Sequence, residues 1–419
     1  MSGKKVFVVG VGMTKFERPH QRKWDYPEMG ELAATDALKD AGIPYDKVEA
    51  VVASYCYGDP TCGQKAVYGL GLTGVPVFNV NNNCSSGSTA LMMARILIQA
   101  GHGCTLAVGF EKMNSGLSEN FPDRVSPLQQ HVEGLKILGV EPGPLNPHVN
   151  AVTSDVVKMF AYAAKDHCHK YGTKQEHFAK IASKNRTQGT QNPRAATQKS
   201  ITPEEVLSKR IVCGPITIAM TAPTGDGGAA AVLCSEEFVR KHHLEDKAVE
   251  ILAQHMCTDL PDSFGQSFLG LCGYSMSKRA AEQCYRDAHM SASDVDLFEV
   301  HDCFAPNELF QYEALGLCPE GKGGDLVDSG HWIHNRNGGR LYKLGQRWVV
   351  NASGGLESKG HPIGATGLGQ CAEICWQLRG LAEKRQVDGA RVGMQQNFGI
   401  GGAAVVTIYK KPEWHRAKL

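Results

Sequence analysis

Fourteen cysteines occur in this 419-residue chain, yet no Cys-x-x-Cys pair does, which weakens zinc and dithiol readings alike. Apolar runs stay short of the roughly 18 residues a membrane helix needs, so no membrane span is expected. An excess of one charge is also lacking. Lysine and arginine number 44 against 43 acidic residues, a net charge of +1, which argues against a general nucleic-acid surface or a polybasic membrane face. A local basic pocket for one phosphorylated ligand stays open. The opening stretch MSGKKVFVVGVGMTKF has no signal-peptide pattern and begins like a strand. No Gly-x-Gly-x-x-Gly opens a helix, at VVGVGMTKF or at NFGIGGAAVV, so a nucleotide-binding reading is weak.

Hydrophobic residues make up 42% and charged residues 21%, the profile of a soluble globular protein with a large core. Most cysteines lie in apolar contexts such as AVLCS and CAEICW, where reduced thiols act as small hydrophobes; a reducing compartment is expected. The last three residues, Ala417-Lys418-Leu419, are a close variant of the Ser-Lys-Leu peroxisomal address.

The organisation is a duplication. Residues 29–56 align without gaps on 276–303, pairing Met29 with Met276, Ala33 with Ala280, Asp40 with Asp287 and Cys56 with Cys303. Each copy reads as an amphipathic helix, a polar turn and a buried strand. GDGGAAAVL from Gly225 matches GIGGAAVVT from Gly399, and CSSGSTA from Cys84 weakly matches HPIGATG from His361. The offset between copies falls by roughly 100 residues along the chain, which marks an insertion in the first copy. The expected division is 1–114 with 216–245 as one half, 115–215 as an inserted helical segment, and 246–419 as the second half. Alternating strands and helices predict layered α/β structure, with a cleft where the halves meet.

Three stretches supply candidates for chemistry there. Cys84, within NNNCSSG, stands where a helix begins, so unpaired N–H groups and the helix dipole should favour its thiolate. By itself such a cysteine is more simply a packed small residue. His361, within SKGHPIGATG, occupies the matching place in the second copy, and an imidazole beside a thiol is the usual activator. The buried strand DLFEV delivers His301, Asp302 and Cys303 to its end. Backbone N–H groups of the glycine-rich NFGIGG stretch suit a reacting oxygen better than a phosphate. His167, Cys168 and His169 fan around a helix, and Lys184, Arg186, Lys199, Lys209 and Arg210 are by default exposed, so none is assigned to a ligand.

Taken together, NNNCSSG at Cys84, GHPIGATG at His361 and HDCF at 301–304 resemble the thiolase superfamily, over essentially the whole chain, and most of all its sterol-carrier-protein type (the thiolase part of sterol carrier protein X). The resemblance implies a thiolase fold of two similar βα halves in α/β/α/β/α layers, with a helical loop domain inserted in the first. It implies cleavage of 3-oxoacyl-CoA by CoA, through an acyl-cysteine intermediate, to acetyl- or propionyl-CoA and a shortened acyl-CoA. Cys84 would be the nucleophile, His361 its activator, and the backbone N–H groups of Cys84 and Gly399 the oxyanion donors. Most thiolases carry Asn-Glu-Ala-Phe where this chain has HDCF, and Cys-x-Gly where it has Asn397-Phe398-Gly399. Cys303 would therefore take the acid/base role, and His301 would stand in for the asparagine. Coenzyme A is expected as co-substrate, with no permanent cofactor and no metal. A homodimer and a peroxisomal import receptor reading Ala417-Lys418-Leu419 are the expected partners, with a cytoplasmic location if that tripeptide is not read. Residues binding CoA are not identifiable. A condensing enzyme of the same fold and a non-catalytic acyl-CoA or lipid-binding protein are the competing readings; Cys303 favours the thiolase.

Overall fold

The computed structural model describes residues 4–113, 123–143 and 154–414. In chain order the strands of the first half and the segment within it are β1 Val6–Met13, β2 Ala50–Ser54, β3 Val77–Val80, β4 Cys104–Glu111, β5 Ile211–Cys213, β6 Ile216–Thr217 and β7 Gly227–Ser235. Those that follow are β8 Val249–Cys257, β9 Leu297–Glu299, β10 His331–His334, β11 Arg340–Leu344, β12 Trp348–Val350, β13 Val392–Gly399 and β14 Ala403–Lys410.

The first half orders its strands β1-β7-β4-β2-β3, and the second β8-β14-β13-β9-β12. Each has two antiparallel pairings followed by two parallel ones, so β1, β2, β3, β4 and β7 correspond in turn to β8, β9, β12, β13 and β14. The repeated sequence is thus a repeated topology. The two halves join edge to edge through a short β1–β8 pairing, Phe7 with Glu250 and Val8 with Val249, which makes one continuous sheet of twelve strands. The β10–β11 hairpin extends the far edge of the second half. It pairs through β11 with β12, and it has no counterpart among the described strands of the first half.

Each half has its helix on the outer face. The helix Tyr26–Ala41 starts from a capping box of Asp25 and Glu28, ends at Gly42 in the left-handed region, and buries Met29, Ala33, Ala34, Ala37 and Leu38. Its counterpart Tyr274–Ala288 buries Met276, Ala280, Ala281 and Cys284, the aligned positions. Between the two halves lie the helices Ser86–Gln99 and Thr366–Arg379. Leu91, Ala94 and Ile98 of the one share a core with Leu368, Cys371 and Cys375 of the other, together with strand residues of both halves. The layers therefore run α/β/α/β/α.

Between β4 and β7 the chain forms the helices Gln129–Ile137, Asp155–Tyr171, Gln175–Gly189 and Pro203–Leu207 and the β5–β6 ribbon. These elements pack on the second half. Phe160 lies against Phe304 and Phe398, with ring centres 4.8 and 6.4 Å apart. Among the described residues no helix is long and apolar enough to cross a membrane.

Candidate active site

The three asparagines before Cys84 shape the turn that carries it. Asn81 Oδ1 accepts from the Asn83 N–H (2.9 Å), and Asn83 takes a left-handed φ of 51°. Asn83 Nδ2 donates across to the Ile400 carbonyl (3.0 Å), tying this turn to the β13–β14 hairpin of the other half. The helix Ser86–Gln99 begins directly behind the thiol, and Ser85 caps it without a side-chain bond.

His361 precedes the matching helix Thr366–Arg379. Its N–H donates to the Pro223 carbonyl (2.9 Å), and the same loop receives Cys303, whose carbonyl accepts from the Ala222 N–H (2.9 Å). The loop Thr221–Thr224 thus holds both residues, a role that nothing in its composition announced. The two helices approach so closely that a Cβ at Gly87 would lie 2.9 Å from the Gly367 nitrogen and 3.1 Å from the Gly364 carbonyl. Glu111, at the end of β4, completes the clamp: it accepts from the N–H groups of Cys56 (3.0 Å), Tyr57 (2.9 Å) and Gly364 (2.9 Å).

Convergence follows. The sulfur of Cys84 and one ring nitrogen each of His301 and His361 all lie within 4.8 Å of one another. The His301 and His361 rings meet edge to face at 5.1 Å between centres. His361 Nδ1 bonds the Thr366 hydroxyl (2.7 Å), which in turn donates to the Pro362 carbonyl (3.0 Å). Nδ1 therefore carries the proton, and Nε2, buried without a hydrogen-bond partner among the described residues, keeps its lone pair. His301 Nδ1 faces Asn397 Nδ2 at 3.1 Å. Cys303 Sγ is 3.9 Å from Asn307 Nδ2 and near enough to Cys84 for that sulfur to disfavour ionisation of Cys303.

Electrostatics overturns one expectation from sequence. Burial pushes the Cys84 thiol up to about 12, although the N–H groups of Ile400 and Cys84 itself pull the other way. Desolvation of an anion in a water-poor site outweighs two backbone dipoles. Burial likewise lowers His361 to about 3, lowers His301 and raises Cys303. The resting centre is uncharged: two thiols and two neutral imidazoles. Gly399, named from sequence, ends β13 against the Cys84 turn, where a Cβ would sit 2.2 Å from the Asn82 carbonyl. The N–H that reaches the resting sulfur from this loop is that of Ile400, one residue on.

Asp302 does not face this centre. Its carboxylate accepts from the N–H groups of Leu356 (2.7 Å) and Glu357 (3.2 Å) and from Asn185 Nδ2 (3.0 Å). Burial first, and then the nearby Glu308, raise it to about 7. Lys184, expected to be exposed, is buried and paired with Glu308 at 2.5 Å. Its lone carbon stem gave no sign of this, because the partner comes from the helix Ala305–Ala314, far along the chain. His167 is buried between Thr173 (2.8 Å) and Glu313 (3.2 Å), a structural position. Ala417-Lys418-Leu419 lies outside the described residues. The Cys84, His301 and His361 donors are a set that zinc also accepts, so the expectation of no metal does not rest on a want of ligands.

Comparison with known proteins agrees along nearly the whole chain. Residues 6–212 match the family model described as "Thiolase, N-terminal domain", and residues 271–411 match "Thiolase C-terminal domain-like". Sterol carrier protein 2 of Oryctolagus cuniculus is 54% identical over 412 residues, 97% of this chain and 72% of that protein. Among solved structures, an Ltp2-ChsH2(DUF35) aldolase superposes with a TM-score of 0.76 at 20% identity, over 97% of each chain. Human mitochondrial 3-ketoacyl-CoA thiolase in complex with CoA superposes with a TM-score of 0.69 at 18% identity, over 98% of each. These two are likenesses of fold.

Proposed function

The chain belongs to the thiolase family, and from that premise we propose that it cleaves 3-oxoacyl-CoA with free CoA, giving acetyl- or propionyl-CoA and a shortened acyl-CoA. The observation that carries this reading is the convergence of Cys84, His301 and His361 within 4.8 Å, with Cys303 beside them.

The proposed sequence starts from the uncharged centre. His361 Nε2 takes the Cys84 proton as the sulfur attacks the 3-oxo carbon, and the carbonyl electrons move onto oxygen. The N–H groups of Cys84 and Gly399 hold that oxyanion. Its collapse leaves the acyl group on Cys84 and sends the C2–C3 electron pair into the thioester enolate, whose oxygen His301 and His361 stabilise. Cys303 then gives its proton to C2, and acetyl-CoA leaves, or propionyl-CoA when C2 bears a methyl. The Cys303 thiolate next takes the proton of incoming CoA, whose sulfur attacks the acyl thioester. Cys84 departs and recovers its proton from His361. Proton transfers of this kind typically contribute about 100- to 10,000-fold.

Coenzyme A enters only as co-substrate, and the acyl chains are those of fatty-acid, branched-chain or sterol side-chain oxidation. The ending Ala417-Lys418-Leu419 supports a peroxisomal location through the import receptor that reads such tripeptides. A homodimer is proposed as well: β3 is a terminal strand of the sheet and leaves Phe78 45% exposed on an open edge, the kind of surface a second copy covers.

The test is loss of the magnesium–enolate absorbance of acetoacetyl-CoA and of longer 3-oxoacyl-CoAs on adding CoA, with mass spectrometry of the acyl adduct on Cys84. Turnover with an adduct on that peptide is expected. Tight acyl-CoA binding with neither would leave the non-catalytic reading.

A further inference from the structure

Two neutral imidazoles share this centre, and a neutral imidazole is either a donor or an acceptor at a given nitrogen. Which of the two His301 is can be read from a chain of buried hydrogen bonds that begins far from the sulfur. The Gly367 carbonyl, which can only accept, takes a hydrogen from Gln395 Nε2 (2.7 Å). That bond fixes which end of the Gln395 amide is nitrogen, and Tyr409 accordingly donates to Gln395 Oε1 (2.6 Å). The second Gln395 Nε2 hydrogen goes to Ser88 Oγ (2.7 Å). With Oγ accepting there, the Ser88 hydroxyl spends its one hydrogen on Asn397 Oδ1 (2.8 Å). The Asn397 amide is then oriented too, and its Nδ2 donates to His301 Nδ1 (3.1 Å). A nitrogen that accepts bears no proton, so the proton of His301 lies on Nε2.

We propose that Asn397 is a positioning residue that holds His301 as the tautomer protonated on Nε2, so that His301 is the hydrogen-bond donor of the pair while His361 is its base. Every side chain in the relay is buried: Tyr409, Gln395, Ser88, Asn397 and His301. Burial shields these bonds from bulk solvent, and a reversed amide would set Asn397 Nδ2, a donor, against the hydrogen of the Ser88 hydroxyl. The relay crosses the halves: Ser88 comes from the helix behind Cys84, whereas Gln395 and Asn397 lie on β13. It also accounts for the exchange of residue types in this centre. His301 stands where the resemblance expected an asparagine, whose amide is a donor, and a neutral imidazole can replace that donor only as Nε2–H. Burial keeps His301 neutral, so the relay rather than pH decides the matter.

The assignment stands on the hydrogen bonds; its use, donation to the enolate oxygen, rests on the thiolytic reading above. The experiment is nitrogen-15 NMR of the full chain labelled in histidine, with His301 identified by its loss in His301→Asn. In the unaltered protein the His301 ring is expected to show the neutral Nε2–H pattern. In Asn397→Asp, a carboxylate that only accepts faces Nδ1 while still receiving the Ser88 hydrogen. The neutral Nε2–H pattern is then lost, and kcat for thiolysis falls about 100-fold, as for loss of an oxyanion donor, with little change in KM. Ser88→Ala frees the amide to rotate and should give a mixed pattern with a smaller fall. A proton found on Nδ1 in the unaltered protein overturns the proposal, as does an unchanged pattern in Asn397→Asp. The Nε2–H pattern without thiolysis in the unaltered protein upholds the tautomer and removes the thiolytic reading instead.

Discussion

His301 and His361 stand edge to face, 5.1 Å between ring centres, although each is delivered by a different kind of element. His301 follows the strand β9, and His361 leads into the helix Thr366–Arg379. The contact is possible because β9 and that helix belong to the same half, with the Cys84 turn of the other half closing over them through Asn83 and Ile400. The nucleophile and its partners are therefore held by both copies of the duplicated unit, and neither copy could form the centre alone.

The two cysteines should separate by variant. Cys84→Ala is expected to abolish turnover and the acyl adduct, a loss of at least about 1,000-fold. Cys303→Ala should stop turnover by a similar factor while acetoacetyl-CoA still binds, as titration calorimetry would register. Near-normal thiolysis by Cys84→Ala would remove it as nucleophile.

A thiol held near 12 beside an imidazole held near 3 is un-ionised across the neutral range. Alkylation of Cys84 by iodoacetamide should therefore be slow at neutral pH. Its rate constant should climb about tenfold per pH unit as the thiolate fraction grows, with no plateau up to pH of about 10. A plateau already reached near neutrality would mean that the helix terminus, not burial, governs this sulfur.

Thr366 sets the state of His361 through the 2.7 Å bond to Nδ1. Thr366→Val leaves that N–H without an acceptor, and kcat should fall about 10- to 100-fold at little cost in KM. Thr366→Ser keeps the hydroxyl and should stay close to the unaltered enzyme. Equal losses in both variants would point to packing of the methyl group instead.

Glu111 takes three backbone N–H groups on two oxygens, and burial lifts its carboxyl to about 7. In Glu111→Gln the amide nitrogen must face at least one of those donors. A destabilisation of about 1–3 kcal/mol is expected in urea unfolding, the cost of a buried donor left unsatisfied. Activity should fall with it, since Gly364 follows His361 in the same loop. Unchanged stability would mean that the carboxylate is not the clamp its bonds describe.

Much of this was legible along the chain. Aligned alanines and methionines marked two equivalent helices, because a face that packs on a sheet repeats its small residues at helical spacing. The close crossing of the helix ends behind Cys84 and His361, at Gly87 and Gly367, emerged only in the folded chain, whereas the two residues themselves were paired by their equivalent positions in the repeat. Those are local or periodic properties, and local chemistry determines them. The charge state of Cys84, the burial of Lys184, the Ile400 N–H and the direction of the Asn397 amide were decided only by tertiary structure. Each depends on what is absent around a group, water above all, and on partners hundreds of residues away. Neither desolvation nor the sense of a hydrogen-bond relay leaves a spacing that a sequence can display.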